Sequence, residues 1–174
     1  MLLPIDGCPM IERVLNAASA WPVVVVAGDE VAAFLASGDL CIVLNASPER
    51  GMTHSLHLAD QVVPADEPIA VLLADLPDIS ASTIAAVIAA YDDEIDVVVP
   101  RHGDTFAHPV IFGPRARRKI AELPDGDTIK RLRDDLSLRR RIVETCAEGL
   151  TDIDTPADYS KRAAQKPAGS ESSR

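Results

Sequence analysis

Ala70-Val71-Leu72-Leu73-Ala74-Asp75-Leu76-Pro77 sets five apolar residues directly ahead of one carboxylate, with a proline two positions later. Pro77 has no N–H to give to a ladder, so an extended segment stops there. An unbroken apolar run of this length suits a strand buried on both faces, as in a parallel sheet covered by helices. Ligands of open α/β sheets bind at the carboxyl ends of the strands. Asp75 stands at such an end and is a hard oxygen ligand suited to Mg2+. The same position also suits an N-cap for the following turn, and the run alone leaves both roles open.

The pattern around this run is a repeated alternation. Residues 23–27, 41–44, 69–73 and 95–99 are short, apolar and rich in β-branched side chains, as strands are. Residues 9–20, 29–36, 52–62 and 80–91 between them carry helical spacing, and Gly28-Asp29 and Ser80 supply turn and cap chemistry. This alternation predicts a doubly wound α/β domain with a mostly parallel sheet. After Pro100 the rhythm changes. Residues 108–112 and 140–144 read as strands, residues 114–123 and 128–136 as helices, and a last helix opens at Pro156. Residues 165–174 are polar and small, the composition of a disordered tail, so one domain is expected over residues 1–164.

Composition narrows the partners. The 174-residue chain is 47% hydrophobic, enough for one buried core. A net charge of −10 argues against nucleic acid and anionic membranes. A nucleotide remains compatible, because a local metal-lined cleft overrides the global sign. Three cysteines (Cys8, Cys41 and Cys146) show no CxxC spacing, which favours a reducing compartment and gives no support for zinc. With no apolar run near the bilayer-spanning length and no basic leader, a cytoplasmic protein is expected.

A second candidate patch is Asp152-Ile153-Asp154-Thr155-Pro156-Ala157-Asp158-Tyr159. Asp152 and Asp154 share one face of an extended segment, and Thr155 caps a helix with Pro156 at its first position. Alone this is an ordinary helix start. With Asp75 it becomes a two-carboxylate Mg2+ site of the kind phosphoryl and nucleotidyl transfer use. Gly51-Met52-Thr53-His54-Ser55-Leu56 opens a helix whose glycine allows close backbone approach to a ligand. His54 and His57 lie three apart but have no third ligand nearby, so a histidine metal site is not expected. Residues 101–109 form a polar loop that either closes over a substrate or is a solvated hairpin. Arg115, Arg117, Arg118 and Lys119 read as a solvated helix face.

Taken in order, these segments resemble the MobA-like nucleotidyltransferases, especially the molybdenum cofactor cytidylyltransferase branch. Leu2-Leu3-Pro4-Ile5-Asp6-Gly7-Cys8-Pro9-Met10 is similar to that family's segment before its first helix. Gly51-Met52 with Ser55-Leu56, Leu73-Ala74-Asp75-Leu76-Pro77, His108-Pro109-Val110-Ile111-Phe112 and Asp152–Asp158 resemble four further family motifs. The resemblance spans roughly residues 2 to 160. It implies a Rossmann-like, three-layer, GT-A-like nucleotidyltransferase fold. It also implies transfer of a nucleoside monophosphate, CMP from CTP, to the terminal phosphate of molybdopterin, with Mg2+ and release of pyrophosphate. GTP is the alternative donor, and a molybdoenzyme or its maturation factor is an implied protein partner. On this resemblance Asp75 and Asp154 are the catalytic, Mg2+-holding pair, with Asp152 as a further ligand. Gly51, Ser55 and Asp75 lie at the nucleotide, and His108 borders the acceptor.

The sequence departs from the family at three places. Members open with a strand and a glycine-rich loop ending in arginine and lysine, which cradles the triphosphate. Met1 stands where that element would already have ended, so the sheet is expected to lack its first strand, leaving unpaired edges and an apolar gap. Ala74 and Ala107 replace the glycines before Asp75 and His108. Two readings follow: a start placed too late in the gene, or a non-catalytic relative that acts as a binding or accessory protein. Under either, these 174 residues are expected to bind triphosphate poorly.

Overall fold

The computed structural model describes residues 1–145 and 152–164. A small hairpin comes first, β1 (Pro4–Ile5) and β2 (Cys8–Pro9), turning through Asp6 and Gly7 at positive φ. The helix α1 (Met10–Ala17) follows and buries Met10, Ile11 and Val14. Then come β3 (Val24–Ala27), α2 (Asp29–Leu35), β4 (Cys41–Leu44), α3 (Met52–Asp60), β5 (Ile69–Val71) and α4 (Ala81–Ala89). Ser80 starts α4 by accepting the Thr83 N–H at 3.1 Å. The second half holds β6 (Val97–His102), β7 (Thr105–Phe106), β8 (Val110–Phe112), α5 (Pro114–Ile120), α6 (Lys130–Arg133), β9 (Arg140–Glu144) and α7 (Pro156–Ala163). This is the expected α/β alternation, with element ends trimmed by a few residues.

The strands form two separately bonded groups. β3 and β4 pair in parallel, Val24 opposite Cys41 through Ala27 opposite Leu44. The larger group centres on β6. There β8 and β7 pair antiparallel to β6, β9 pairs parallel to it, and β5 adds antiparallel to β8. β8 therefore runs against its neighbours, and the larger group is mixed. Its alternation builds two faces, as a strand period of two requires. Val97 and Val99 pack with Leu56, Phe112 and Ile120 under α3 and α5, while Val98 packs with Ile111 and Val87 under α4. All three β6 valines are fully buried.

Several expectations need correction. The apolar run before Asp75 is strand only through Val71, and Ala70 is exposed. Among the described residues β5 bonds to β8 on one edge alone, so its other edge has no strand partner there. Pro100 does not end its strand: β6 continues to His102, and the Pro100 carbonyl accepts the Ala107 N–H at 2.9 Å. Arg117 is not part of a solvated face. It is 2% exposed, and its Nε donates to Asp60 Oδ1 at 2.7 Å and its Nη2 to the Val63 carbonyl at 3.0 Å. A buried guanidinium needs this saturation of its donors, and here it staples the segment after α3 to α5. Residues 101–109 form the β6–β7 hairpin, turning at Gly103. The stretch 165–174, read from composition as a tail, lies outside the described residues.

Between β3 and β5 lies a cavity of about 400 Å3. No hydrogen-bonded strand bridges it among the described residues.

Candidate active site

Asp75 sits in a turn four residues past the end of β5. Its backbone carbonyl accepts the Ile153 N–H at 3.0 Å. That bond lays residues 152–154 alongside the turn. Ile153 points into a small core with Ile5, Met10 and Tyr159, while Asp152 and Asp154 remain exposed. Asp152 and Asp154 thereby flank the residue whose N–H bonds to the Asp75 turn.

The electrostatics of this group are unfavourable without a cation. Asp75 Oδ1 is buried and has no hydrogen-bond partner. Burial pushes the Asp75 carboxyl above the ordinary aspartate range; its own backbone amide opposes this, and the charges of Asp154 and then Asp152 push it further up. No group of three or more histidine, cysteine, aspartate or glutamate side chains is drawn together closely enough to cage a metal among the described residues. The donor set is instead one half-buried carboxylate, its Oδ1 enclosed, with two exposed carboxylates near it. That fits Mg2+ chemistry, in which one or two carboxylates hold the ion and water and phosphate oxygens complete its shell.

His108 lies next to this group, before the cis bond to Pro109. Its Nδ1 sits 3.0 Å from the Val71 carbonyl. A carbonyl only accepts, so Nδ1 carries the proton and Nε2 offers a lone pair. Burial lowers the imidazole pKa, while the Val71 carbonyl and Asp152 partly oppose the shift. His108 is therefore neutral at pH 7. Asp152 is a minor influence on both, pushing the Asp75 and His108 proton affinities upward.

Ser55 lies on α3 and faces the cavity between β3 and β5, which Ala74 and Pro109 also line. The cavity thus runs from Ser55 to the neighbours of Asp75 and His108. Gly51 does not line it. Its φ of 87° requires glycine, and an added Cβ would meet the Gly126 Cα at 3.5 Å. Gly51 consequently sets the entry to α3.

Two features escape the sequence reading. Asn45, 2% exposed, donates from Nδ2 to Ser55 Oγ at 3.0 Å and accepts the Ser47 N–H on Oδ1 at 2.9 Å. It directly follows an apolar strand, the same signal that marks Asp75. The second feature is an ion network that anchors α7. Arg162 Nη2 donates to Asp78 Oδ1 at 2.7 Å and to Asp6 Oδ2 at 3.1 Å, and Arg13 Nη2 donates to Asp78 Oδ1 at 3.1 Å. The Arg162 hydrogen bond holds the Asp78 carboxyl below the ordinary range, against the opposing cost of burial. Tyr159 adds a 2.7 Å bond to the Pro4 carbonyl. Nothing local in sequence marks partners 156 positions apart.

His54 and His57 each lie 3.6 Å from Asp125 Oδ1 and take part in loop packing, and His57 Nε2 also contacts the Ile120 carbonyl at 2.8 Å. No helix of the described residues is long and apolar enough to cross a membrane.

Solved structures share this architecture. A homologue of Mycobacterium tuberculosis Rv0371c from Mycobacterium sp. strain JC1 is 27% identical, covering 94% of this chain and 85% of its own, with a TM-score of 0.78. Rv0371c from M. tuberculosis H37Rv, in a complex with manganese, is 21% identical over 93% of this chain and 89% of its own, with a TM-score of 0.75. The molybdopterin-guanine dinucleotide biosynthesis protein A from Archaeoglobus fulgidus is 16% identical over 93% and 87%, with a TM-score of 0.69. No curated protein matches the chain. The MobA-like NTP transferase domain matches residues 1–142, most of the sequence, and the chain belongs to that family of nucleotidyltransferases.

Proposed function

We propose that the chain carries the metal and acceptor residues of a nucleotidyltransferase site that transfers CMP from CTP to the terminal phosphate of molybdopterin. In that reaction an acceptor phosphate oxygen attacks the α-phosphorus, the bond to the β-phosphate oxygen breaks, and pyrophosphate leaves. The observation that carries the reading is the buried, unpartnered Asp75 Oδ1 beside Asp152 and Asp154. Asp75 and Asp154 would hold Mg2+, with Asp152 as a further ligand. A bound divalent cation supplies charge neutralisation on the phosphate oxygens. The remaining work is positioning. Neutral His108 keeps its Nε2 lone pair toward the acceptor side, locked there by the Val71 carbonyl. Asn45 fixes the rotamer of Ser55 at the nucleotide end of the cavity. The manganese complex of Rv0371c supports a divalent ion, and the Archaeoglobus protein supports a pterin acceptor.

The test is pyrophosphate release with each NTP, Mg2+ and molybdopterin, for the wild-type chain and for Asp75→Asn and Asp154→Asn. CTP is expected to be the preferred donor, GTP its main competitor, and each substitution to lower the rate on the order of 100-fold or more. A rate that neither substitution changes overturns the reading. A second reading is a non-catalytic relative within the same family. It predicts Mn2+ binding that depends on Asp75 and no pyrophosphate release with any NTP.

A further inference from the structure

The outer edge of β9 is built to pair with itself. β9 pairs in parallel with β6, Val97 opposite Arg140 through Arg101 opposite Glu144, and with no other strand among the described residues. The Val97 N–H donates to the Arg139 carbonyl at 3.1 Å, and the Thr145 N–H to the Arg101 carbonyl at 2.8 Å. Residues 139, 141, 143 and 145 therefore turn their backbone groups toward β6. By the alternation of a strand, Arg140, Ile142 and Glu144 turn theirs to the open side. The side chains of these three share the exposed face, whereas Val143 packs inward with Val98 and Ile111.

Sheet edges are commonly guarded by charges that repel a second edge, or by proline. This edge has no proline, and its charges are complementary. Arg140 and Glu144 stand symmetrically about Ile142. When two copies meet antiparallel with Ile142 opposite Ile142, each Arg140 faces the other copy's Glu144. Residues 140, 142 and 144 then all fall at hydrogen-bonded positions, and opposite charges directly across a ladder stabilise it. Slipping the register by two residues in either direction loses both ion pairs. Within one chain Glu144 takes Arg101 Nε on Oε1 at 2.9 Å, and its side chain stays 60% exposed, open to a second guanidinium. β4, which bonds only to β3 among the described residues, carries Cys41-Ile42-Val43-Leu44 and no charge that would fix a register.

We propose that two copies of this chain associate through β9, antiparallel about a two-fold axis at Ile142, so that their β6 sheets join into one across the axis. The inference rests on edge geometry and charge register and is independent of the catalytic reading. A ladder of five residues on each side buries less than the roughly 1,200 Å2 of a standard stable interface, so the pairing is reversible.

The experiment is sedimentation velocity of the full chain from about 10 μM to about 1 mM, with amide exchange measured at both limits. Salt of about 0.15 M screens the −10 charge of each copy. The expected result is a monomer that becomes a dimer as concentration rises. Exchange is expected to slow at least about tenfold at residues 140, 142 and 144, and to change little at 141 and 143, which β6 already protects. Ile142→Pro removes an outward N–H and no bond to β6, so it is expected to stay folded by circular dichroism and monomeric throughout. Arg140→Glu and Glu144→Arg each set like charges opposite one another, and each is expected to stay monomeric alone. Their equimolar mixture is expected to restore the dimer, because every arginine again faces a glutamate. Where a charge variant does not fold, Ile142→Pro decides. Four outcomes overturn the proposal: a monomer at every concentration, a dimer that Ile142→Pro leaves intact, a mixture of folded charge variants no more dimeric than its components, or protection at residues 140, 142 and 144 that is independent of concentration. The last marks an edge covered by its own chain.

Discussion

At the scale of single residues, Asp75 carries the conflict of the site. Its Oδ1 is buried without a partner, and its neighbours add negative charge. A carboxyl whose folded pKa is raised contributes stability only while protonated. That contribution is complete below the ordinary aspartate range and is lost as pH rises through the raised value. Asp75→Asn is therefore expected to stabilise the metal-free protein at pH 7 by about 1 kcal/mol, a Tm rise of roughly 2–4 °C, and to give no gain near pH 3. Thermal scans at both pH values check this. Adding Mn2+ should reverse the order at pH 7, since only the wild-type chain gains binding energy. The apolar run and Pro77 made Asp75 legible from sequence, because position at a strand end is a local signal. Arg117 was not legible in the same way. Its burial follows from carbonyls 50 and 54 residues away, and its basic neighbours mask it.

Among the elements, α7 decides whether the carboxylates meet. Its start is written locally: the Thr155–Asp158 capping box is complete, with Thr155 N–H on Asp158 Oδ2 at 3.0 Å. Its docking is not local. Arg162 reaches Asp78, next to the Asp75 turn, and Asp6 at the opposite end of the sequence. Arg162→Ala is expected to free α7 and to weaken Mn2+ binding on the order of 10–100-fold, with Arg162→Lys retaining part of the affinity. Titration of Mn2+ followed by exchange at the α7 amides separates loss of docking from loss of ligands. The pH sign is opposite to that of Asp75. A depressed Asp78 pKa gives stability that is present above the ordinary aspartate value and lost as pH falls through the depressed one. Acid should therefore loosen α7 before it unfolds the sheet.

For the whole molecule, the two strand groups are unequal. The β6 group has a fully buried spine (Val97, Val98, Val99 and Phe112), whereas β3 and β4 form a two-stranded ladder with Leu44 51% exposed. Native-state exchange should show the β3 and β4 amides opening at lower free energy than those of β6. Equal protection in both groups would contradict the split. The α/β class and the strand and helix order were readable from periodicity. The reversal of β8 and the hairpin of residues 4–9 were not, because an apolar run carries no mark of direction. The bond from Ile153 to the Asp75 carbonyl also has a consequence in time. Chains emerge from the ribosome amino end first, and Asp75 is made well before its partners. Until residues 152–162 are released, the Asp75 turn has neither its backbone partner nor the helix that Arg162 clamps. The site is thus completed only after residues 152–162 follow, and a nascent chain halted before residue 152 lacks both Asp152 and Asp154 and the Arg162 clamp on Asp78.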